Sequence, residues 1–354
     1  MATILISAPS LDATKNVSGV SSVVRNILSV LSGTHDFVHL ELGSEQKGSR
    51  LARLAGSLGK IARGAGLAAF GRYDLFHSNT AANKSALVRD GVFMMIAGLR
   101  GKPVIWHVHG GAYMTEPASG WAAGLMRLLA RRTTSVIVLG HAEKAYFAKH
   151  AACDPAKITV IYNGIVPPEG HAARMPEGGP LSVIFAGRLS HEKGIDLLLE
   201  SVARLAPDDG IRVDVYGDGP LRAKVEAAAG PVLTYGGTLT PQGVIEAMQG
   251  YQALILPSLF GEGMPMVIVE AMSLGVIPVC TPISSVPEII RDRESGVLIT
   301  PDPESLCGAL AWLREDAART AAVGVEARAF ARGAFDARKN FGQLDGIYSA
   351  LIAK

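Results

Sequence analysis

Short apolar runs rich in β-branched residues recur along this chain at residues 3–7, 75–77, 104–107, 135–139, 182–186, 212–216, 253–256 and 276–279. Each is followed by a loop and then a helix-like stretch. A short continuous apolar run suits a strand buried on both faces, and strands alternating with helices build a parallel sheet covered on both sides. The rhythm breaks between Val166 and Pro180, where Pro167, Pro168, Gly170, Pro176, Gly178 and Gly179 crowd a segment without periodicity. The expected fold is therefore α/β, with two Rossmann-like doubly wound domains facing a cleft. An N-terminal domain is expected over 1–168, a linker over 169–180, a second domain over 181–335, and a last helix over 336–354 crossing back to the first domain. At 354 residues, each domain is long enough to bury its own core.

Composition removes several alternatives. Although 48% of residues are hydrophobic, no window reaches the roughly eighteen uninterrupted apolar residues of a spanning helix. The opening 1–9 lacks a basic segment and a long apolar segment, so it reads as a first buried strand and a cytoplasmic location is expected. Cys153, Cys280 and Cys307 are odd in number and far apart, which argues for reduced thiols and against a disulfide framework or a metal site. A net charge of +2 gives no reason to expect nucleic acid as a partner.

Charge is uneven, however. The stretch 47–72 carries Lys47, Arg50, Arg53, Lys60, Arg63 and Arg72 without an acidic residue, among apolar residues at roughly helical spacing. It suits either a solvated helix packing one face on the first domain or an interfacial patch for anionic lipid or a lipid-diphosphate acceptor. Gly56, Gly59, Gly64 and Gly66 argue against a long rigid helix there.

In open parallel sheets ligands bind at the carboxyl ends of strands, so the strand-to-loop junctions carry the candidate chemistry. After the run at 182–186 comes Gly187-Arg188-Leu189-Ser190-His191-Glu192-Lys193-Gly194. Gly187 leaves backbone room, while Arg188 offers a planar fork and Lys193 a mobile charge, a pair suited to a diphosphate that gains charge as it leaves. The bland alternative pairs Arg188 with Glu192. After 212–216 comes Gly217-Asp218-Gly219-Pro220, either a close approach of ligand to backbone or a tight turn into a helix.

The third junction runs Phe260-Gly261-Glu262-Gly263-Met264-Pro265 into Glu270-Ala271-Met272. Pro265 suits the first turn of a helix that carries Glu270 about one and a half turns on, with Glu262 in the preceding loop. The amides of Gly263 and Met264 then lie at a helix N-terminus that attracts anions or sugar hydroxyls. Glu262 can accept hydrogen bonds from a sugar, and Glu270 from the vicinal hydroxyls of a ribose.

The order of these three motifs resembles the family-four retaining GT-B glycosyltransferases, of the group 1 type that serves bacterial polysaccharide and glycolipid synthesis. The resemblance spans the second domain and, more loosely, the first. It implies that Arg188 and Lys193 bind the donor diphosphate, that Glu262 reads the transferred sugar, and that Glu270 reads the ribose. It implies that a turn after the first strand, here Val17-Ser18-Gly19-Val20, presents amides to the diphosphate, with Ser18 where many members carry a second glycine. It also implies a histidine near the transferred sugar, which selects His109 in Trp106-His107-Val108-His109-Gly110-Gly111. Strand alternation puts His107 and His109 on one face. Their spacing alone suggests metal, but no third ligand is evident and the resemblance implies a metal-independent enzyme without cofactor.

The implied donor is a nucleoside diphosphate sugar, and the implied acceptor a saccharide or a polyprenyl-diphosphate-linked intermediate. Contact with the inner face of the membrane through 47–72 is a further expectation. Catalytic candidates are His109, Arg188, Lys193 and Glu262; donor-binding candidates are Gly19, Gly187, Gly217, Gly263, Met264, Pro265 and Glu270. Asn163-Gly164 reads as a hinge feature or a simple turn, and Thr281 and Glu288 as loop residues outside the catalytic set. The competing readings are a nucleotide-sugar epimerase or phosphorylase on this fold, and a non-catalytic module that binds nucleotide sugar or lipid.

Overall fold

In a computed structural model, residues 1–13, 16, 18–42, 50–166 and 179–353 are described. Most of the expected linker 169–180, together with Val17 and Lys47, lies outside the described residues. The chain divides into two compact units: Met1–Gly164 with Glu262–Met264 and Ala337–Lys354, and Ile165–Gly261 with Pro265–Asp336. The short segment Glu262–Met264, which the sequence reading assigned to the second domain, packs with the first.

Unit 1 is built on strands β1 (Ala2–Ala8), β2 (His35–Glu41), β3 (Leu75–Thr80), β4 (Val104–Val108), β5 (Ser135–Val138) and β6 (Ile158–Val160). They form one parallel sheet in the order β2-β1-β3-β4-β5-β6. Unit 2 holds β7 (Leu181–Ala186), β8 (Ile211–Tyr216), β9 (Leu233–Tyr235), β10 (Ala253–Leu256), β11 (Ile277–Cys280) and β12 (Val297–Leu298). These pair, again in parallel, in the order β12-β11-β10-β7-β8-β9. Two doubly wound α/β sheets are what the alternating pattern predicts.

The strands the pattern missed, β2, β6, β9 and β12, are the four sheet edges. An edge strand has one hydrogen-bonded neighbour and need not be apolar throughout, so it leaves no continuous apolar run. In β2, His-Asp-Phe-Val-His-Leu-Glu, only His35 and Leu40 are buried. The central strands β3 and β4 are buried at every residue, and Trp106 packs edge-on against Phe147 with ring centroids 5.0 Å apart.

Chain order reverses between β1 and β3 in the first sheet and between β7 and β10 in the second. A reversal leaves adjacent strands whose following loops depart in opposite directions, and the gap at their carboxyl ends accepts a ligand. Residues after β1 and β3, and after β7 and β10, therefore flank those reversals.

Two expectations need correction. The basic stretch does form a long helix, Arg50–Phe70, despite its glycines. Tertiary packing overrides their weak propensity: a Cβ on Gly64 would stand 3.0 Å from both Leu40 and Phe93, so this glycine lets the helix close on its neighbours. Within the stretch, Lys60 pairs with Glu41 at 2.9 Å, while Arg63 and Arg72 are exposed. The second correction concerns Pro265, which caps the helix Met266–Leu274 from outside rather than occupying its first turn; its ψ of 118° is extended.

Candidate active site

In unit 2 the loops after β7, β8 and β10 interlock through their backbones. Gly217, at φ 143°, is pressed so close to the β7 loop that a Cβ there would lie 1.8 Å from the Gly187 carbonyl oxygen. A Cβ on Gly219 would meet the Leu189 carbonyl at 2.4 Å. The Leu189 amide donates to Asp218 O at 3.0 Å, and the Leu221 amide returns to Leu189 O at 2.9 Å. The Gly217-Asp-Gly-Pro motif thus holds the Gly187–Leu189 backbone in place, one loop approaching another closely at the strand end.

Arg188 projects from this braced loop and is exposed. It makes no ion pair among the described residues, so the expected alternative of a pair with Glu192 is not what the structure contains. His191–Lys193 form one turn of 3-10 helix, ended by Gly194 in the left-handed region at φ 71°. A side chain at Gly194 would collide with Pro257 O at 1.9 Å, and the Leu259 amide donates to Glu192 O at 2.9 Å. These contacts join the loop after β7 to the loop after β10, the two strands that flank the topological reversal. Thr281, by a short hydrogen bond from its hydroxyl to Ser258 O, ties down the same corner from β11. Glu270 lies in the helix Met266–Leu274 and is half-buried.

Unit 1 supplies the other group of candidates. His109 follows β4 directly, and its amide donates to Thr80 O of β3 at 3.0 Å. Gly110 and Gly111 then take φ of 72° and 116°, which L residues with side chains rarely adopt. The turn at Gly110 lies backbone to backbone against the Glu262–Met264 segment. A Cβ on Gly110 would lie 2.2 Å from Gly263 N and 2.4 Å from Glu262 C; one on Gly263 would lie 2.7 Å from Gly110 N. Glycine at both positions is what brings His109 and Glu262 onto adjoining backbone. Glu262 is only 6% exposed. The segment is pinned further by Asn163, whose Nδ2 donates to Met264 O at 3.0 Å, so Asn163 holds this loop rather than merely making a turn.

His107 and His109 do share a face, with ring centroids 4.1 Å apart. His77 stacks on the far side of His107 at 5.3 Å, its Nε2 3.2 Å from His107 Nδ1 and its Nδ1 2.6 Å from the Tyr348 hydroxyl in the last helix, Ala337–Ile352. Burial holds all three imidazoles neutral: His77 and His109 are brought down to about 3, His77 also by the neighbouring His109 ring, and His107 is lowered well below the usual histidine value. His109 Nε2 lies 2.8 Å from Asn79 Oδ1. Asn79 and His77 escaped the sequence reading because the apolar run was ended at His77; alternation carried two residues further puts both on one face of β3, and the strand register, Asn79 beside His107, makes it the His107 face.

Gly19 opens the helix Gly19–Leu31, with Ser18 as its cap accepting from the Ser21 amide. Among the described residues, nothing lies within 4 Å of a Cβ built on Gly19. No cluster of His, Cys, Asp and Glu among the described residues is arranged to hold a metal ion, and no described helix is long and apolar enough to cross a membrane.

Comparison with known proteins agrees with this architecture. Over the whole of both chains, the structure is similar to a sucrose-phosphate synthase from Thermosynechococcus elongatus, with TM-score 0.80 and 18% identity. It is similar to Anabaena HepE solved with UDP-glucose, with TM-score 0.75 and 18% identity over 99% of this chain and 100% of that one. A putative colanic acid biosynthesis glycosyltransferase, WcaL of Salmonella typhimurium, is 30% identical over 46% of this chain and 42% of its own length. The GDP-mannose:cellobiosyl-diphosphopolyprenol alpha-mannosyltransferase of Xanthomonas campestris is 28% identical over 58% of this chain and 56% of its own. An exopolysaccharide phosphotransferase of Streptomyces coelicolor is 31% identical over 54% of this chain but only 21% of its own. The chain thus matches about half or less of the length of these curated relatives. Residues 19–167 match the model for Glycosyltransferase Family 4, and residues 180–316 match that for Glycosyl transferases group 1. Between them these matches take in most of the chain, which belongs to the family 4, group 1 glycosyltransferases.

Proposed function

We propose that this protein transfers a sugar with retention from a nucleoside diphosphate donor to a saccharide or polyprenyl-diphosphate-linked acceptor in cell-surface polysaccharide synthesis. The single observation that carries the reading is the backbone contact between His109–Gly110 and Glu262–Gly263, which juxtaposes two sugar-reading candidates 153 residues apart in sequence on glycines that admit no side chain. Similarity to an exopolysaccharide phosphotransferase, a putative colanic acid biosynthesis glycosyltransferase and a GDP-mannose:cellobiosyl-diphosphopolyprenol alpha-mannosyltransferase supports the pathway class.

In this reading Glu262 and His109 hold the transferred sugar, the amides of Gly263 and Met264 face it, and Glu270 accepts from the ribose hydroxyls. Arg188 and Lys193 stabilise the diphosphate as the glycosidic C–O bond breaks, with Gly187 and Gly217 keeping that loop in position and the Gly19 turn offering further amides. Pro265 contributes its fixed φ to the helix start. The new bond forms on the face the leaving group vacates, through an oxocarbenium-like state, and the acceptor hydroxyl proton passes to the departing phosphate oxygen. Positive charge aimed at the leaving group supplies most of the rate, since such preorganised electrostatics is the largest single catalytic contribution in many enzymes. No cofactor or metal takes part in the scheme.

Thermal shift against UDP, GDP and ADP, followed by the corresponding sugars, identifies the donor. With that donor, Glu262→Ala is expected to abolish transfer while donor affinity weakens only a few-fold, and Lys193→Ala to weaken both. Full activity in either variant refutes the assignment.

A further inference from the structure

The face of β3 and β4 that carries His77, Asn79, His107 and His109 is locked to β1 by Asn79. Its amide N–H donates to Ser7 Oγ at 3.0 Å, and its side-chain Nδ2 donates to Ser7 O at 3.0 Å. The second bond decides the orientation of the side-chain amide, because a backbone carbonyl can only accept. The nitrogen must face Ser7, and the oxygen, Oδ1, must face His109. Oδ1 in turn can only accept, so the proton between it and His109 Nε2, 2.8 Å away, belongs to the histidine.

We infer that Asn79 is a positioning residue that fixes His109 as the Nε2–H tautomer, leaving Nδ1 as a hydrogen-bond acceptor for a hydroxyl group of the bound ligand. No hydrogen bond among the described residues reaches His109 Nδ1. The inference deepens the proposed function, resting on His109 as a sugar-reading residue, and gives that contact a direction: His109 takes a proton from a sugar hydroxyl into a hydrogen bond and does not donate to a phosphate. A neutral ring suits this task, and burial keeps it neutral, with a value brought down to about 3. The titratable groups on the elements packed around it are His107 on its own strand, His77 on β3 and Glu262 on the segment against Gly110. The two histidines are themselves held neutral, so neither charges His109 by proton exchange near neutral pH.

Ring nitrogens of the protein, labelled with 15N-histidine, report the tautomer directly, and the His109 signals are assigned by their disappearance in His109→Gln. Expected for the wild type is a protonated Nε2 and an unprotonated Nδ1, unchanged from pH 8 to 5. A protonated Nδ1 overturns the inference, whatever the protein transfers. In Asn79→Asp a carboxylate replaces the amide beside Nε2, favours the imidazolium and turns Nδ1 into a donor. The His109 ring should then titrate within pH 5–8, and KM for the donor should rise at least ten-fold toward the acid side while the wild-type profile stays flat. Asn79→Ala keeps the ring neutral but frees the tautomer, and should show a mixed Nδ1–H and Nε2–H population. A wild-type-like single tautomer in Asn79→Ala, or a flat KM profile in Asn79→Asp with its ring titrating, refutes the assigned role. If the tautomer results hold but no nucleoside diphosphate sugar binds at all, the failure lies in the proposed function and not in the role of Asn79.

Discussion

Replacing His77 with Gln should remove a defined part of the acid sensitivity of unit 1. His77 is fully buried on β3 and brought down to about 3 by desolvation, with a smaller contribution from His109. Released into the unfolded chain it titrates near 6.5, so between those values the unfolded state binds more protons than the folded one. Stability is therefore greatest above pH 6.5 and falls as pH drops from there toward 3. For one such histidine the loss between pH 7.5 and pH 5 is about 2 kcal/mol. His109 and His107, lowered in the same sense, act in the same direction. Urea unfolding followed through buried Trp106, run on wild type and His77→Gln at pH 7.5 and 5, separates this effect from the carboxylates, whose contribution is common to both. The variant starts lower at pH 7.5, because Tyr348 loses the 2.6 Å contact to His77 Nδ1, but its fall to pH 5 should be smaller by ~2 kcal/mol. Parallel falls in the two proteins would mean that His77 is protonated in the folded state or solvated there, and would refute the reasoning.

Gly217→Ala places a Cβ 1.8 Å from Gly187 O at φ 143°, so a loss on the order of 2–4 kcal/mol is expected in urea unfolding of unit 2. Gly56→Ala, in the interior of the helix Arg50–Phe70 with none of the described residues within 4 Å of the new methyl, should instead gain about 0.5–1 kcal/mol by the same assay. Flotation with liposomes rich in anionic lipid should recover the protein at low salt and lose it at high salt through the 47–72 stretch. Absence of binding at low salt removes the expected membrane contact.

Sequence alone carried the architecture because central strands of a parallel sheet are buried on both faces, and that burial writes an apolar run into each of them. β1, β3, β4, β5, β7, β8, β10 and β11 all left that mark, whereas β2, β6, β9 and β12, each paired on one side, did not. Glycine beside Arg188, Lys193 and Glu262 is a local signal that needs no knowledge of distant neighbours, which is why these residues stand out as candidates. What sequence could not decide was anything that depends on which segments meet. Gly56, Gly59, Gly64 and Gly66 read as a broken helix until packing against Leu40 and Phe93 gave Gly64 its reason. Pro265 read as a first-turn residue, whereas the folded chain starts the helix one residue on, with Pro265 extended at ψ 118°. The orientation of His109 depends on Asn79 and Ser7, held on neighbouring strands 30 and 102 residues away in sequence. The chain therefore determined which chemical groups it carries and the sheets that present them, while tertiary structure decided which of them share a backbone contact, a proton or a buried ring, since those are properties of pairs brought together only by folding.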